Sequence, residues 1–243
     1  MTQEAIILAG GLGTRLRSVV SDRPKALADI AGRPFLAWQL DYLRTQGVTR
    51  VVLSLGHLAD LIVNRFGSRY ADVDLEYAIE DKPLGTGGAI RFALTLCQSD
   101  SVFVVNGDTL APVSLPHLIG DDRDELLVMA ALRCADISRY GGLQIEDHRV
   151  IAFREKACQG QGFINAGVYW IRRDIFAGRE LPQAFSFERD FLQAFTAQIR
   201  PRAVVFDVPF IDIGLPETLA AAQNEVPAMV ATCELRASRI SPR

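Results

Sequence analysis

Along this chain, short continuous apolar runs alternate with segments whose apolar residues recur every three or four positions. The runs at 5–9, 50–55, 74–79, 101–105 and 126–132 have the length of buried strands. Between them, Pro34 opens a helical pattern with Leu36, Leu40 and Leu43 on one face, and further helical patterns cover 58–66 and 87–97. Strands that are apolar throughout, separated by helices, predict a mostly parallel sheet covered on both faces. After residue 133 the pattern changes. Apolar stretches at 143–145 and 150–153 flank Glu146-Asp-His-Arg149, a hairpin signal. Further strands are expected at 163–171 and 203–208, and helices at 187–197 and 216–224. The residues from 226 onward carry Arg236, Arg239 and Arg243 and are read as a tail, either an exposed helix, an oligomer contact or a frayed end.

Composition narrows the picture. The 243 residues, 49% apolar, suit one domain with a sizeable core. A net charge of −3 does not indicate a nucleic-acid-binding surface. Cys97, Cys134, Cys158 and Cys233 have neither disulfide-framework nor metal-site spacing, so free thiols in a reducing cytoplasm are expected. The N-terminal apolar run is short for a secretory core, and no run approaches a membrane span. His57, His117 and His148 are scattered singly and read as ordinary histidines. Among 26 basic residues only Lys25, Lys82 and Lys156 are lysine. A position that keeps a compact ammonium in an arginine-rich chain points to a need a planar guanidinium does not meet.

The candidate chemistry lies at strand ends, where open α/β sheets bind ligands. The first strand runs into Gly10-Gly11-Leu-Gly13-Thr14-Arg15, followed by Arg23-Pro-Lys25. Glycines bring backbone N–H groups close to phosphate oxygens, and Arg15 and Lys25 add fixed positive charge. Neither a Walker loop nor a dinucleotide fingerprint fits, because no lysine follows Gly13 and Leu16 fills the third glycine position. The plain alternative is a glycine-rich turn with solvated Arg and Lys. Asp108, after Asn106-Gly107, and Asp212, among apolar neighbours, are candidates to share one Mg2+, a cation that prefers oxygen ligands. Asp212 reads equally as a turn residue before the helix at Pro216. Glu80 precedes a second glycine segment, Gly85-Thr86-Gly87-Gly88, read as allowing close approach of a flat ligand. As a pure acceptor, its carboxylate suits the adjacent donors of guanine; capping the following helix or pairing with Arg91 is the alternative. Tyr140-Gly141-Gly142, Glu155-Lys156 and Asn165-Ala166-Gly167 are polar partners for a sugar phosphate.

Together, Leu8-Ala-Gly-Gly-Leu-Gly-Thr-Arg-Leu16, Arg23-Pro-Lys25, Leu84-Gly-Thr-Gly-Gly-Ala89, Asn106-Gly-Asp108, Phe153-Arg-Glu-Lys156, Asn165-Ala-Gly167 and Asp212-Ile-Gly-Leu-Pro-Glu217 resemble the sugar-1-phosphate nucleotidyltransferase family, in order across 4–224. Ser18-Val-Val-Ser-Asp22, Ile79-Glu80 and Ser186-Phe-Glu188 resemble its heptose 1-phosphate guanylyltransferase branch. Ala26 and Ala157 stand where the family often has proline, and Phe210 or Ile211 where it often has Trp or Tyr. The resemblance implies a Rossmann-like three-layer α/β sandwich with a mixed, mostly parallel central sheet and a small hairpin-rich sugar-binding part. It implies one domain over 1–225, with 1–133 as the nucleotide half and 134–225 as the sugar-phosphate half, and a tail at 226–243. The implied reaction joins GTP and a sugar 1-phosphate to a GDP-sugar and pyrophosphate, for bacterial surface polysaccharide. Mannose 1-phosphate, a uridylyl or thymidylyl donor, and a non-catalytic nucleotide-sugar sensor remain alternatives, and a homodimer is left open.

The implied nucleotide contacts are Leu8, Ala9, Gly10, Gly11, Gly13, Thr14, Arg15, Glu80, Gly85, Thr86 and Asn106. Arg15, Lys25, Asp108 and Lys156 carry the chemistry. Gly142, Glu155, Lys156 and Asn165 hold the sugar phosphate, and Asp108 and Asp212 hold Mg2+.

Overall fold

In a computed structural model of the chain, the structure describes residues 3–11, 23–121, 124–154 and 159–240. The elements, in order, are β1 (Gln3–Leu8), β2 (Asp29–Ile30), β3 (Arg33–Pro34), α1 (Phe35–Thr45), β4 (Val48–Leu55), α2 (Ala59–Phe66), β5 (Arg69–Tyr70), β6 (Val73–Ile79), α3 (Gly85–Leu94), β7 (Ser101–Asn106), β8 (Thr109–Leu110), α4 (Leu115–Ile119) and β9 (Leu127–Cys134). Then follow β10 (Gly142–Glu146), β11 (Arg149–Arg154), β12 (Gly162–Arg172), a π-helical segment at Phe187–Gln193 continued by α5 (Ala194–Ile199), β13 (Arg202–Phe206), β14 (Ile211–Asp212) and α6 (Pro216–Ile240).

Among the described residues, ten strands form one sheet in the order β10-β11-β13-β9-β12-β7-β1-β4-β6-β5. Strand pairs β1–β4, β1–β7, β4–β6 and β9–β13 are parallel, and only β12 opposes the common direction between β13 and β6. The sheet is mixed, with antiparallel pairing at β10–β11, β11–β13, β9–β12, β12–β7 and β6–β5, and the parallel arrangement expected from the apolar runs is its core from β7 to β6. Its two faces explain why those runs lack polar alternation. Ala5, Ile7, Val51, Leu53, Phe103 and Val105 pack on one side with α1, α2 and α6, while Ile6, Val52, Val102 and Val104 pack on the other with α3 and the π-helical segment. Each side chain that points away from one core enters the other.

Residues 163–171, expected as a strand, form the centre of β12, which pairs with β7, with β9 and, at Phe163, with β10 of the hairpin. Tertiary structure differs from the sequence reading in two places. The tail read from residue 226 belongs to α6, which runs to Ile240 with Pro227 inside it, and Val226, Met229, Val230 and Cys233 are buried in the core. The helix expected at 187–197 begins as a π-helical segment, with Ser186 Oγ accepting the N–H of Arg189 at its start. Cys97, Cys134 and Cys233 are free thiols; Cys158 lies outside the described residues. Among the described residues, no helix is long and apolar enough to cross a membrane.

One charged side chain is locked inside the sheet. Glu4, fully buried, accepts from Arg50 Nη1 at 2.7 Å, from the N–H of Gln98 at 2.9 Å and from the N–H of Ser99. Burial pushes its carboxyl up, but the hydrogen bonds from Ser99, Arg50 and Gln98 outweigh that push, and it titrates below its ordinary value. Replacing Glu4 by Ala removes the buried partner of Arg50, which keeps Glu76 at 3.3 Å, and takes the acceptor from the N–H of Gln98; it should cost about 3 kcal/mol, or roughly 6–12 °C in Tm. A depressed folded value contributes stability above the unfolded value of 4.5 that is lost as pH falls through the folded one. Thermal melts of wild type and Glu4→Ala should therefore converge below pH 4.5 and stay separated at neutrality.

Candidate active site

The strand order reverses around β1, which has β4 on one side and β7 on the other. At such a switch point the loops leaving the carboxyl ends diverge and open a crevice. Here the parallel register sets Leu8 beside both Ser54 and Asn106. Gly107 closes over this row: its N–H donates to Leu8 O at 3.0 Å, and a Cβ there would lie 2.4 Å from the same oxygen. The resulting cleft, about 540 Å³, is lined on the β1 side by Leu8, Ala9, Gly10 and Gly11. Glu80, Gly85 and Thr86 line it above β6, and Asn106 and Asp108 above β7. Lys25, Asn165 and Asp212 complete the predicted residues that the fold brings together.

At the floor of the cleft is a three-charge cluster. Lys25 opens a short 3-10 turn after Pro24, and its Nζ lies 2.8 Å from Asp108 Oδ2 and 3.8 Å from Asp212 Oδ1. The two aspartates, far apart in sequence, meet because β14 pairs antiparallel with β8, setting Asp212 opposite Thr109. The N–H of Ile213 also donates to Asp108 O at 3.0 Å. Asp212 has the turn role as well, since its Oδ1 accepts the N–H of Gly214 at 2.7 Å. Lys25 is 13% exposed, whereas Asp108 keeps 40% and Asp212 25%. One ammonium against two carboxylates leaves an excess negative charge facing the cleft, and the donors are all oxygen. That chemistry fits a hard divalent cation. Among the described residues no cluster of three or more acidic, His or Cys side chains offers a fuller cage. A cation here would draw its other ligands from phosphate oxygens and water.

Glu80 lines the cleft and serves the backbone too. Its Oε2 accepts the N–H of Leu84 at 2.9 Å, and its Oε1 lies 3.4 Å from Ser54 Oγ. Burial raises its carboxyl above the ordinary range, and those two hydrogen bonds only partly counter it. Arg91 is directed elsewhere, to the carbonyls of Pro182 and Gln183 at 2.8 and 3.0 Å.

The second glycine segment also packs against the chain's own backbone. Gly85 lines the cleft, and Gly85, Gly87 and Gly88 together leave room for the chain at 183–185. A Cβ on Gly85 would meet Phe185 O at 2.6 Å, on Gly87 the Phe185 ring at 2.1 Å, and on Gly88 Gln183 O at 2.6 Å. The Phe185 carbonyl accepts the N–H of Gly87, and Thr86 Oγ1 accepts that of Phe187.

On the opposite wall Asn165 is held by three contacts. Its Nδ2 donates to Tyr169 OH at 2.5 Å and to Glu188 Oε1 at 3.0 Å, and its Oδ1 accepts the N–H of Gly167. Gly142 is not among the cleft-lining residues; it is buried, and a Cβ there would lie 2.7 Å from Ile137 Cδ1, so packing accounts for it. Gly13, Thr14, Arg15, Glu155 and Lys156 lie outside the described residues. Lys82 is exposed and away from the cleft lining.

Sequence reasoning did not single out Ser54, Arg139, Tyr169 or Glu188 as site residues, although all four line the cleft. Ser54 had a signal: it is the lone hydroxyl in an otherwise apolar strand end. Glu188 had one in Ser-Phe-Glu ahead of the helix. Arg139 had none, because nothing local distinguishes it from other surface arginines.

The sequence model of the nucleotidyl transferase family matches residues 4–228. A D-glycero-alpha-D-manno-heptose 1-phosphate guanylyltransferase of Aneurinibacillus thermoaerophilus is 43% identical over 92% of this chain and 98% of its own. The enzyme of the same name from Campylobacter jejuni is 40% identical over 88% of this chain and 96% of its own. The crystal structure of HddC from Yersinia pseudotuberculosis complexed with GMP-PN superposes with a TM-score of 0.82 at 38% identity, covering 92% of this chain and 99% of that one. With a cleft built at the switch point and a family match over nearly its whole length, the chain belongs to the nucleotidyl transferase family.

Proposed function

We propose that the protein is a guanylyltransferase that joins GTP to D-glycero-α-D-manno-heptose 1-phosphate, releasing pyrophosphate and forming a GDP-heptose. The observation that carries the reaction class is the Lys25–Asp108–Asp212 cluster on the floor of a cleft with a glycine loop on one wall and polar groups on the other. The substrate pair rests on the 43% and 40% identical relatives of that name. The reaction belongs to the cytoplasm, and its product would feed bacterial surface polysaccharide. A grid of four nucleoside triphosphates against heptose and mannose 1-phosphates, following pyrophosphate release, tests it. A native preference for UTP, or for mannose 1-phosphate, would replace the assignment.

In this reading an oxygen of the sugar phosphate bonds to the α-phosphorus of GTP as the bond to pyrophosphate breaks. The attacking phosphate is already ionised at neutral pH, so no protein nucleophile or base is required. The barrier lies in bringing two anions together in line. Gly10, Gly11 and Gly13 cradle the triphosphate through backbone N–H groups, with Leu8, Ala9, Thr14, Gly85, Thr86 and Asn106 around the nucleotide. Arg15 neutralises the departing pyrophosphate. Lys25 bridges the α-phosphate and the incoming oxygen. Lys156 seats the sugar phosphate, and Glu155 and Asn165 contact the sugar, joined by Glu188. Asp108 and Asp212 would hold Mg2+, which when bound gathers negative charge at the α-phosphate. Until then Lys25 offsets part of their mutual repulsion.

Three measurements probe these roles. Asp108→Asn and Asp212→Asn keep shape and remove charge; each should lower kcat by about 10²-fold or more while the protein still folds, with the other carboxylate left beside Lys25. A near-native rate at saturating Mg2+ would remove that residue from the metal role. Lys25→Arg keeps the charge, but a forked guanidinium does not fit the space between two carboxylates and two phosphates. A loss of about 10²-fold in kcat, with little change in GTP binding, is expected; a silent variant would return Lys25 to an ordinary ion pair.

Glu80→Gln can still accept the N–H of Leu84, so it isolates the base-reading role from the turn. A charge-assisted pair with guanine worth about 1.5–3 kcal/mol predicts a drop of roughly 10–100-fold in the GTP-over-UTP ratio of kcat/KM. Because burial raises the Glu80 carboxyl, the wild-type preference should fade as pH drops toward and through that raised value. An equal loss with all four triphosphates would leave Glu80 a backbone cap only.

A further inference from the structure

Gln39 lies in the middle of α1, fully buried, on a helix whose other buried positions include Phe35, Leu36, Leu40 and Leu43. An amide in such a place needs a reason, because buried polar groups are costly unless hydrogen-bonded. Its Nε2 donates to Asn106 O at 2.8 Å and to Thr109 O at 2.9 Å. These are the two ends of the four-residue turn that contains Asp108. Its Oε1 is buried without a hydrogen-bond donor among the described residues. An apolar side chain would avoid that orphaned acceptor but would take the donor away from Asn106 O and Thr109 O, so what the amide secures is the turn between them.

The contact is part of a larger device. Tyr42, one turn further along α1, donates its hydroxyl to Val113 O at 2.8 Å, and Gln46 accepts the N–H of Leu115 at 3.2 Å. Positions 39, 42 and 46 follow helical spacing on one face. That face holds the chain from Asn106 to Leu115, with Gln39 at the end that carries the carboxylate. Two other bonds fix the same turn: Gly107 N–H to Leu8 O, and Ile213 N–H to Asp108 O, both at 3.0 Å. The first ties it to β1 and the second to the strand of Asp212. Gln39 supplies the third direction, from beneath.

We propose that Gln39 is a positioning residue that sets Asp108 against Lys25 and Asp212, and so governs how tightly the cleft holds a divalent cation with a triphosphate. The proposal rests on the reading of Asp108 as a cation-side carboxylate. Outer partners of a ligating carboxylate characteristically alter metal affinity without touching the metal.

The test uses Gln39→Met, of similar length with no donor, and Gln39→Asn, which keeps the amide but is one methylene short. Tyr42→Phe removes a bond from the same face, away from Asp108. Mn2+ binding is titrated by electron paramagnetic resonance in the presence of GTP with a methylene bridge between the α and β phosphates, alongside turnover with GTP and thermal melts. For both Gln39 variants, Mn2+ affinity and kcat should fall by roughly 10–100-fold, with KM for GTP changed far less. Tyr42→Phe should lower Tm while leaving Mn2+ affinity near that of wild type. Native Mn2+ binding by a folded Gln39 variant overturns the proposal, as does an equal Mn2+ loss in Tyr42→Phe, which would indicate general loosening. If Gln39→Met does not fold, Gln39→Asn decides by the same criteria. Absence of transfer by the wild type would instead overturn the guanylyltransferase reading, leaving the Mn2+ comparison to judge Gln39.

Discussion

The ammonium of Lys25 and the carboxylates of Asp108 and Asp212 depend on one another electrostatically. A lysine 13% exposed would pay heavily for its charge without partners, and two aspartates converging on one point would repel without a cation between them. The fold meets this constraint with backbone, not only with side chains. The two-residue ladder of β8 and β14 brings Asp212 opposite Thr109, the bond from Ile213 N–H fastens Asp108, and the 3-10 turn after Pro24 delivers Lys25 from the other side. Charges held this way cost little further reorganisation when a polyanion arrives, which is where an enzyme acting by alignment and charge compensation gains most.

A second constraint links the two walls of the cleft. The glycines at 85, 87 and 88 make a bare seat at the start of α3, and Phe185 fills it. Arg91 grips the same strap by the carbonyls of Pro182 and Gln183 and lies over the Phe185 ring at 5.0 Å. The strap continues directly into Ser186, Phe187 and Glu188, which line the cleft, and Glu188 reaches Asn165. The loop that carries Glu80 and the wall that carries Asn165 are therefore joined by main-chain contacts. A side chain added at Gly87 would displace residues on both walls.

Much of this was legible in the chain. Continuous apolar runs of strand length, separated by helical periodicity, could satisfy their burial only between two layers, so the parallel core followed from pattern alone. The charged residues near the strand ends were legible for a related reason: a lysine or aspartate there is poorly explained by packing, so it points to a ligand or an ion pair. Where the sequence was ambiguous, the residue type had two physical uses. Glycine permits close approach without saying of what; Gly85 lines the cleft, yet Gly85, Gly87 and Gly88 also seat the chain's own strap, and Gly142 packs against Ile137.

What the sequence by itself determined was the set of local preferences: which segments are strands or helices, which turns need glycine, and which side chains carry charge suited to phosphate. Only the tertiary structure decided which distant groups meet. That β12 enters the sheet antiparallel between β7 and β9, that α6 runs on into the core through Pro227, that Gln39 lies beneath the Asp108 turn, and that Asp212 faces Lys25 are outcomes of long-range packing. No periodicity within a single segment encodes them, because each depends on a partner far away in the chain.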